Sequence, residues 1–106
     1  RFSGFEGILK GNGFYLDKHT YTLYTGNCSK VLPEKEGKIL EVLLEHSGEI
    51  VSKEDLFLMV WGTQVYVDEN ILQVNMTRLR KTLNTLGLKN MVQTVRGRGY
   101  LWNGEE

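Results

Sequence analysis

Leu72, Met76, Leu79, Leu83 and Leu86 recur at intervals of 4, 3, 4 and 3. At about 100° per residue, all five fall within about 40° of one line. This predicts a helix of about four turns with a single buried stripe. Asp68 is placed to cap its start, Glu69 suits the positive end of its dipole, and Gly87 closes it. The opposite face carries Asn70, Val74, Thr77, Arg78 and Lys81, with Arg80 to one side.

The rest of the chain arranges itself around this helix. Residues 5–31 alternate apolar and polar positions at Phe14, Leu16, Tyr21 and Leu23, broken by turn residues at 11–13, 17–19 and 26–27. That pattern predicts a small antiparallel sheet. Pro33 opens a first helix, in which Ile39, Leu40, Leu43 and Leu44 keep helical spacing up to His46, with Gly48 as a stop. Ile50-Val51 reads as a brief extended link. Ser52 caps a second helix with Asp55 three residues on, and that helix ends near Trp61-Gly62. Met91–Val95 and Tyr100–Trp102 are β-rich runs around Arg96-Gly97-Arg98-Gly99, a hairpin with a loose, Gly-rich tip. Sheet, three helices and hairpin form an α+β winged helix-turn-helix, with residues 1–106 as one domain.

Charge is segregated along the chain. Net charge is zero over 106 residues. Residues 1–33 hold four basic and two acidic groups, residues 34–69 three and nine, and residues 70–106 six and two. Between Glu69 and Glu105 there is no acidic residue. A neutral protein has gathered cations on one helix and one hairpin tip, the footprint of a surface made for phosphates. The outer helix face mixes amide, hydroxyl, cation and one small apolar group. That mixture suits a DNA groove: cations for phosphates, an arginine for guanine, and Val74 for a thymine methyl. The face lacks the glutamates that lace an ordinary solvated helix with i,i+4 pairs. At the hairpin tip, Gly97 and Gly99 let the backbone approach another surface closely, and arginine there suits a narrow minor groove.

Three separated motifs occur in order: Val60-Trp61-Gly62-Thr63-Gln64-Val65-Tyr66-Val67-Asp68, Val74-Asn75-Met76-Thr77-Arg78-Leu79-Arg80-Lys81, and Val92-Gln93-Thr94-Val95-Arg96-Gly97-Arg98-Gly99-Tyr100. Together they resemble the DNA-binding effector domain of OmpR/PhoB-type response regulators, over residues 8–103. The resemblance implies a preceding phosphorylatable receiver domain and head-to-tail dimers on direct-repeat duplex DNA. It puts the third helix in the major groove and the wing in the adjacent minor groove. It makes Arg78 and Arg96 base-reading residues, beside Val74. It places Lys53, Trp61, Asn75, Thr77, Arg80 and Thr94 on the phosphate backbone, where Asn70, Lys81 and Arg98 extend the contact. The loop Gly62, Thr63, Gln64, Val65, Tyr66 and Val67 matches the one that meets RNA polymerase in activating members. Thr77 and Asn70 stand where other members carry cations, whereas Arg98 adds a wing charge. The wording from Asp68 to Arg78 is also similar to regulators of envelope and antimicrobial-peptide stress in Gram-positive bacteria.

Other signals point elsewhere than to chemistry. Cys28 is the sole cysteine, so no internal disulfide or thiolate cage can form, and a reducing cytoplasm is expected. His19 and His46 lack partners at metal-ligand spacing and read as a turn and a helix-end residue. No metal or cofactor is expected. Glu41, Glu45, Glu49 and Glu54 read as a solvated acidic face, and Trp61 and Trp102 as core anchors. No apolar run approaches the length of a membrane span. Arg1-Phe2-Ser3-Gly4 lacks a signal-peptide shape and an initiator Met, so a fragment of a longer protein is expected. A protein-interaction module would show aromatic or leucine anchors on the outer helix face, and an enzyme would show a nucleophile–base pair or carboxylate pair. Neither pattern is present.

Overall fold

The computed structural model describes residues 7–11, 13–26, 28–62 and 69–103. Asp68 and the loop Thr63–Val67 lie outside the described residues. An N-terminal meander comes first: β1 (Ile8–Gly11), β2 (Phe14–Asp17), β3 (Thr22–Thr25) and β4 (Cys28–Val31), paired antiparallel in that order. The register places Leu9 opposite Leu16 and Leu16 opposite Leu23. Side chains alternate across a strand, so this row of leucines is the face that packs on the helices, and all three are buried. On the other face Tyr15 and Tyr24 stack with ring centroids 4.7 Å apart. Tyr21 departs from the sequence reading. It lies in the turn before β3 at φ 53°, not in a strand.

α1 (Glu34–Glu45) begins one residue after Pro33, which occupies the cap position rather than the first turn. Ile39, Leu40 and Leu43 are fully buried. The acidic face expected on this helix is partly engaged. Glu41 accepts a hydrogen bond from the Tyr21 hydroxyl at 2.9 Å, and Lys18 lies 3.8 Å from Glu41 and 3.4 Å from Glu45. Burial, then the bond to Glu41 and its charge, push the Tyr21 phenol up to about 12. Glu49 pairs with His46 at 3.6 Å, and Glu54 is exposed.

α2 (Lys53–Trp61) is capped as expected: Asp55 N–H donates to Ser52 Oγ at 3.1 Å, and Gly62 closes the other end. α3 (Glu69–Thr85) buries Leu72, Met76, Leu79 and Leu83, each at 2% exposure or less, and leaves Leu86 partly buried beyond its last turn. Its C-terminus forms a Schellman motif: Leu88 N–H bonds Leu83 O at 2.8 Å and Gly87 N–H bonds Asn84 O at 3.1 Å.

Ile50-Val51 is more than a link. It forms β5, which pairs with β7 (Gly99–Trp102), while β6 (Val92–Val95) flanks β7 on its other side. The wing is therefore a three-stranded sheet in the order β5-β7-β6. Trp102 is buried in the core and meets Phe14 ring to ring at 5.6 Å, joining this sheet to the N-terminal one. Among the described residues, no helix is long and apolar enough to cross a membrane.

Candidate nucleic-acid interface

α3 turns its core stripe inward, so the helical period carries Asn70, Val74, Thr77, Arg78 and Lys81 outward. All five are exposed, as is Ile71. Val74 is 45% exposed, which leaves its methyl groups available to an apolar partner. Among the described residues of α3 none is aromatic.

The wing presents Arg96, Gly97 and Arg98, all exposed. Its tip is not loose. Arg98 N–H donates to Val95 O at 2.9 Å, and Gly97, third in that turn, takes φ 75°. Gly99 approaches the protein's own backbone rather than open space. A Cβ at this position would lie 2.0 Å from Val51 O and 2.7 Å from Ser52 Cα. Of the two wing glycines, only Gly97 has free space around it.

Among the described residues the ion pairs gather around α1, and none includes Arg78, Arg80, Lys81, Arg96 or Arg98. The cations of α3 and of the wing thus keep their charge for an external partner. Arg80 differs from the others. It is half-buried, its Nη2 donates to Thr94 Oγ1 on β6, and its Nε is buried without a hydrogen-bond partner. Helix and wing are tied at that point. A cleft of about 390 Å³ runs beside the tie, lined by Leu88, Met91 and Gln93 among others.

The remaining sequence-derived positions are less uniform. Asn75 Nδ2 donates to Ile71 O at 2.8 Å, so one amide hydrogen bond is already used within the helix. Trp61 is half-buried against Phe57 at 5.4 Å, and Lys35 Nζ lies 5.8 Å above its ring. Lys53, at the start of α2, is partly exposed. Thr94 is exposed. Of the loop 62–67, expected from the sequence to meet RNA polymerase, only Gly62 is among the described residues.

Glu36 escaped the sequence reading. It is 4% exposed in the first turn of α1. Burial raises its carboxyl above the ordinary range, opposed by the positive charges of Arg78 and Lys30. Arg78 on α3 and the Glu36 carboxyl on α1 thus interact electrostatically. Among the described residues no cluster of His, Cys, Asp or Glu could hold a metal ion.

Residues 29–102 match the family profile described as "Transcriptional regulatory protein, C terminal". The chain is 38% identical over 95 residues to the phosphate regulon transcriptional regulatory protein PhoB of Klebsiella pneumoniae, covering 90% of this chain and 42% of that protein. It is 44% identical over 95 residues to the transcriptional regulatory protein YxdJ of Bacillus subtilis, with the same shares of 90% and 42%. The solved C-terminal domain of the nisin resistance regulator NsrR, a lantibiotic response regulator, aligns with a TM-score of 0.78 at 39% identity, over 92% of this chain and 99% of that one. The chain thus spans less than half the length of the two curated relatives.

Proposed function

The chain belongs to the C-terminal family of transcriptional regulatory proteins, of OmpR/PhoB type, and from that membership we propose that it binds duplex DNA sequence-specifically to regulate transcription. It does so as the effector domain of a two-component response regulator whose receiver domain precedes it in a cytoplasmic full-length protein. The observation that carries this reading is the set of exposed cations on α3 and the wing that enter no salt bridge among the described residues. Folding leaves that charge unneutralised, and a polyanion supplies the partner.

In this reading α3 lies in the major groove. Arg78 pairs with guanine and Val74 meets a thymine methyl. Asn70, Thr77 and Lys81 face phosphates, with Asn75 contributing through its remaining oxygen. Lys53 and Trp61 touch the backbone from α2, and Thr94 and Arg98 from the wing, with Arg80 on α3 behind Thr94. Arg96 enters the minor groove, where a narrow A·T-rich tract draws arginine most strongly. The loop from Gly62 to Val67 is the surface offered to RNA polymerase.

The test is selection of bound duplexes from a random pool, followed by titration of the selected site. Arg78→Ala should cost about 1–3 kcal/mol on that site and relax specificity at one or two base pairs. Equal loss on every sequence would remove Arg78 from base reading, and recovery of no bound duplex would overturn the function.

The isolated chain should be a monomer that pairs on DNA. The acidic stretch 34–69 and the basic stretch 70–98 give it opposite poles, which suit a head-to-tail and therefore heterologous contact. Such a contact favours direct repeats about one helical turn apart over inverted ones. Sedimentation without DNA, then binding to both repeat orientations, checks this. A stable free dimer, or preference for the inverted repeat, would contradict it.

A further inference from the structure

β6 is the outer strand of the wing sheet, hydrogen-bonded on one side only, to β7. Side chains two apart on a strand share a face, so Val92, Thr94 and Arg96 follow one another along β6 toward the tip. Val92 is buried against the core, Thr94 is exposed, and Arg96 stands exposed in the turn. Between core and tip, Arg80 Nη2 on α3 donates to Thr94 Oγ1 on this face. Arg80 also holds its Nε buried without a partner.

The chemistry of the bond is one-directional. A guanidinium has donors and no acceptor, so the Thr94 oxygen accepts and the hydroxyl proton is left to point elsewhere. A hydroxyl that accepts from a full positive charge becomes a stronger donor. The tie spans from the helix to the wing. In the DNA-binding reading above, α3 and the wing straddle the sugar–phosphate ridge between the two grooves, and Thr94 is exposed on the wing strand that α3 is tied to.

Resting on the DNA-binding reading above, we propose that Arg80 is a positioning residue that acts through Thr94. The bond fixes the wing against α3, so that Arg96 reaches the minor groove at a set offset from Arg78 in the major groove. It also presents the polarised Thr94 hydroxyl to the intervening phosphate.

The experiment compares duplexes that share the selected major-groove site but carry A·T or G·C flanks. The variants are Arg96→Ala, Thr94→Val, Thr94→Ser, Arg80→Lys and the double variant Arg80→Lys with Thr94→Val. Arg80→Lys keeps the charge but loses the planar fork. The unaltered chain should prefer A·T flanks, and Arg96→Ala should remove that preference. Thr94→Val and Arg80→Lys should each remove it too, with about a tenfold fall on the A·T duplex, as for a lost charge-assisted hydrogen bond. The double variant should be no worse than either single one, and Thr94→Ser should behave as the unaltered chain. Without DNA, the Arg80 side-chain N–H resonances should be resolved by NMR in the unaltered chain and averaged in Thr94→Val. Equal losses on both duplexes with multiplying effects in the double variant would make the two residues independent phosphate contacts and overturn the positioning role. Averaged Arg80 resonances in the unaltered chain would also overturn it, while leaving the DNA-binding reading standing. Failure of the unaltered chain to bind any duplex would instead overturn that reading, and the proposal with it.

Discussion

The affinity of this chain for duplex DNA should fall about 250- to 1,000-fold as monovalent salt rises from about 50 to about 200 mM. Arg78, Lys81, Arg96 and Arg98 are exposed and outside every ion pair among the described residues. Lys53 and Arg80 stand half-covered at the same interface. Neutralising roughly four to six phosphates releases that many condensed counterions, and log K against log[salt] should then have a slope of about −4 to −5 per monomer. The chain as a whole is neutral, so the effect comes from the local pole. At a Debye length of about 10 Å, the acidic stretch around α1 is screened from much of the interface. Titration at four or more salt concentrations gives the slope directly. A slope near zero would mean that these cations meet no phosphate, and the function proposed here would fall with it.

Gly99→Ala should destabilise the fold by about 2–5 kcal/mol, combining backbone strain with steric overlap. Gly99 sits at φ 152°, a region that side-chain-bearing residues rarely adopt. A methyl group there would meet Val51 O at 2.0 Å and Ser52 Cα at 2.7 Å. Both are backbone atoms at the junction of β5 and α2, and neither can swing away as a side-chain end could. The neighbouring Val51–Tyr100 pairing, which holds the wing to the body of the domain, would have to open. At roughly 4–8 °C per kcal/mol for a domain near this size, Tm should drop by at least about 8 °C. Gly97→Ala supplies the comparison. Its backbone is also at positive φ, but nothing lies within 4 Å of the added atom, so it should cost only about 1 kcal/mol. Thermal and urea unfolding of both variants settle the order. A Gly99→Ala chain as stable as Gly97→Ala would show that β5 and β7 do not pack as described.

Much of the fold was legible because its signals are short-range. The α3 stripe follows from a helical period written in the residues themselves, and four of its five members are fully buried. The Ser52 cap and the Gly87 terminus depend on bonds that reach only three to five residues. The outward face of α3 was legible for the same reason, since a helix that buries one stripe has no choice about the opposite one.

The errors share a different origin. Ile50-Val51 is too short to announce a strand, and it becomes one only because β7 arrives from about 50 positions later in the chain. Gly99 looked like freedom at a tip, yet its absent side chain makes room for that same strand. Tyr21 and Glu41 stand 20 residues apart and bond only because the sheet packs on α1. Helical spacing sets Arg80 to one side of Arg78 and Lys81, but only the fold gives it a partner in Thr94 on the wing.

The sequence by itself thus determined the helices, the Ser52 cap and the Gly87 terminus, the strand-rich termini and the pole of positive charge, because period, capping and charge act within a few residues of themselves. The tertiary structure alone decided the third strand of the wing, the need for Gly99, the burial of Glu36 and the tie between Arg80 and Thr94. Each of these depends on which distant backbone or side chain removes water from a group, and desolvation is a property of the neighbours that folding brings.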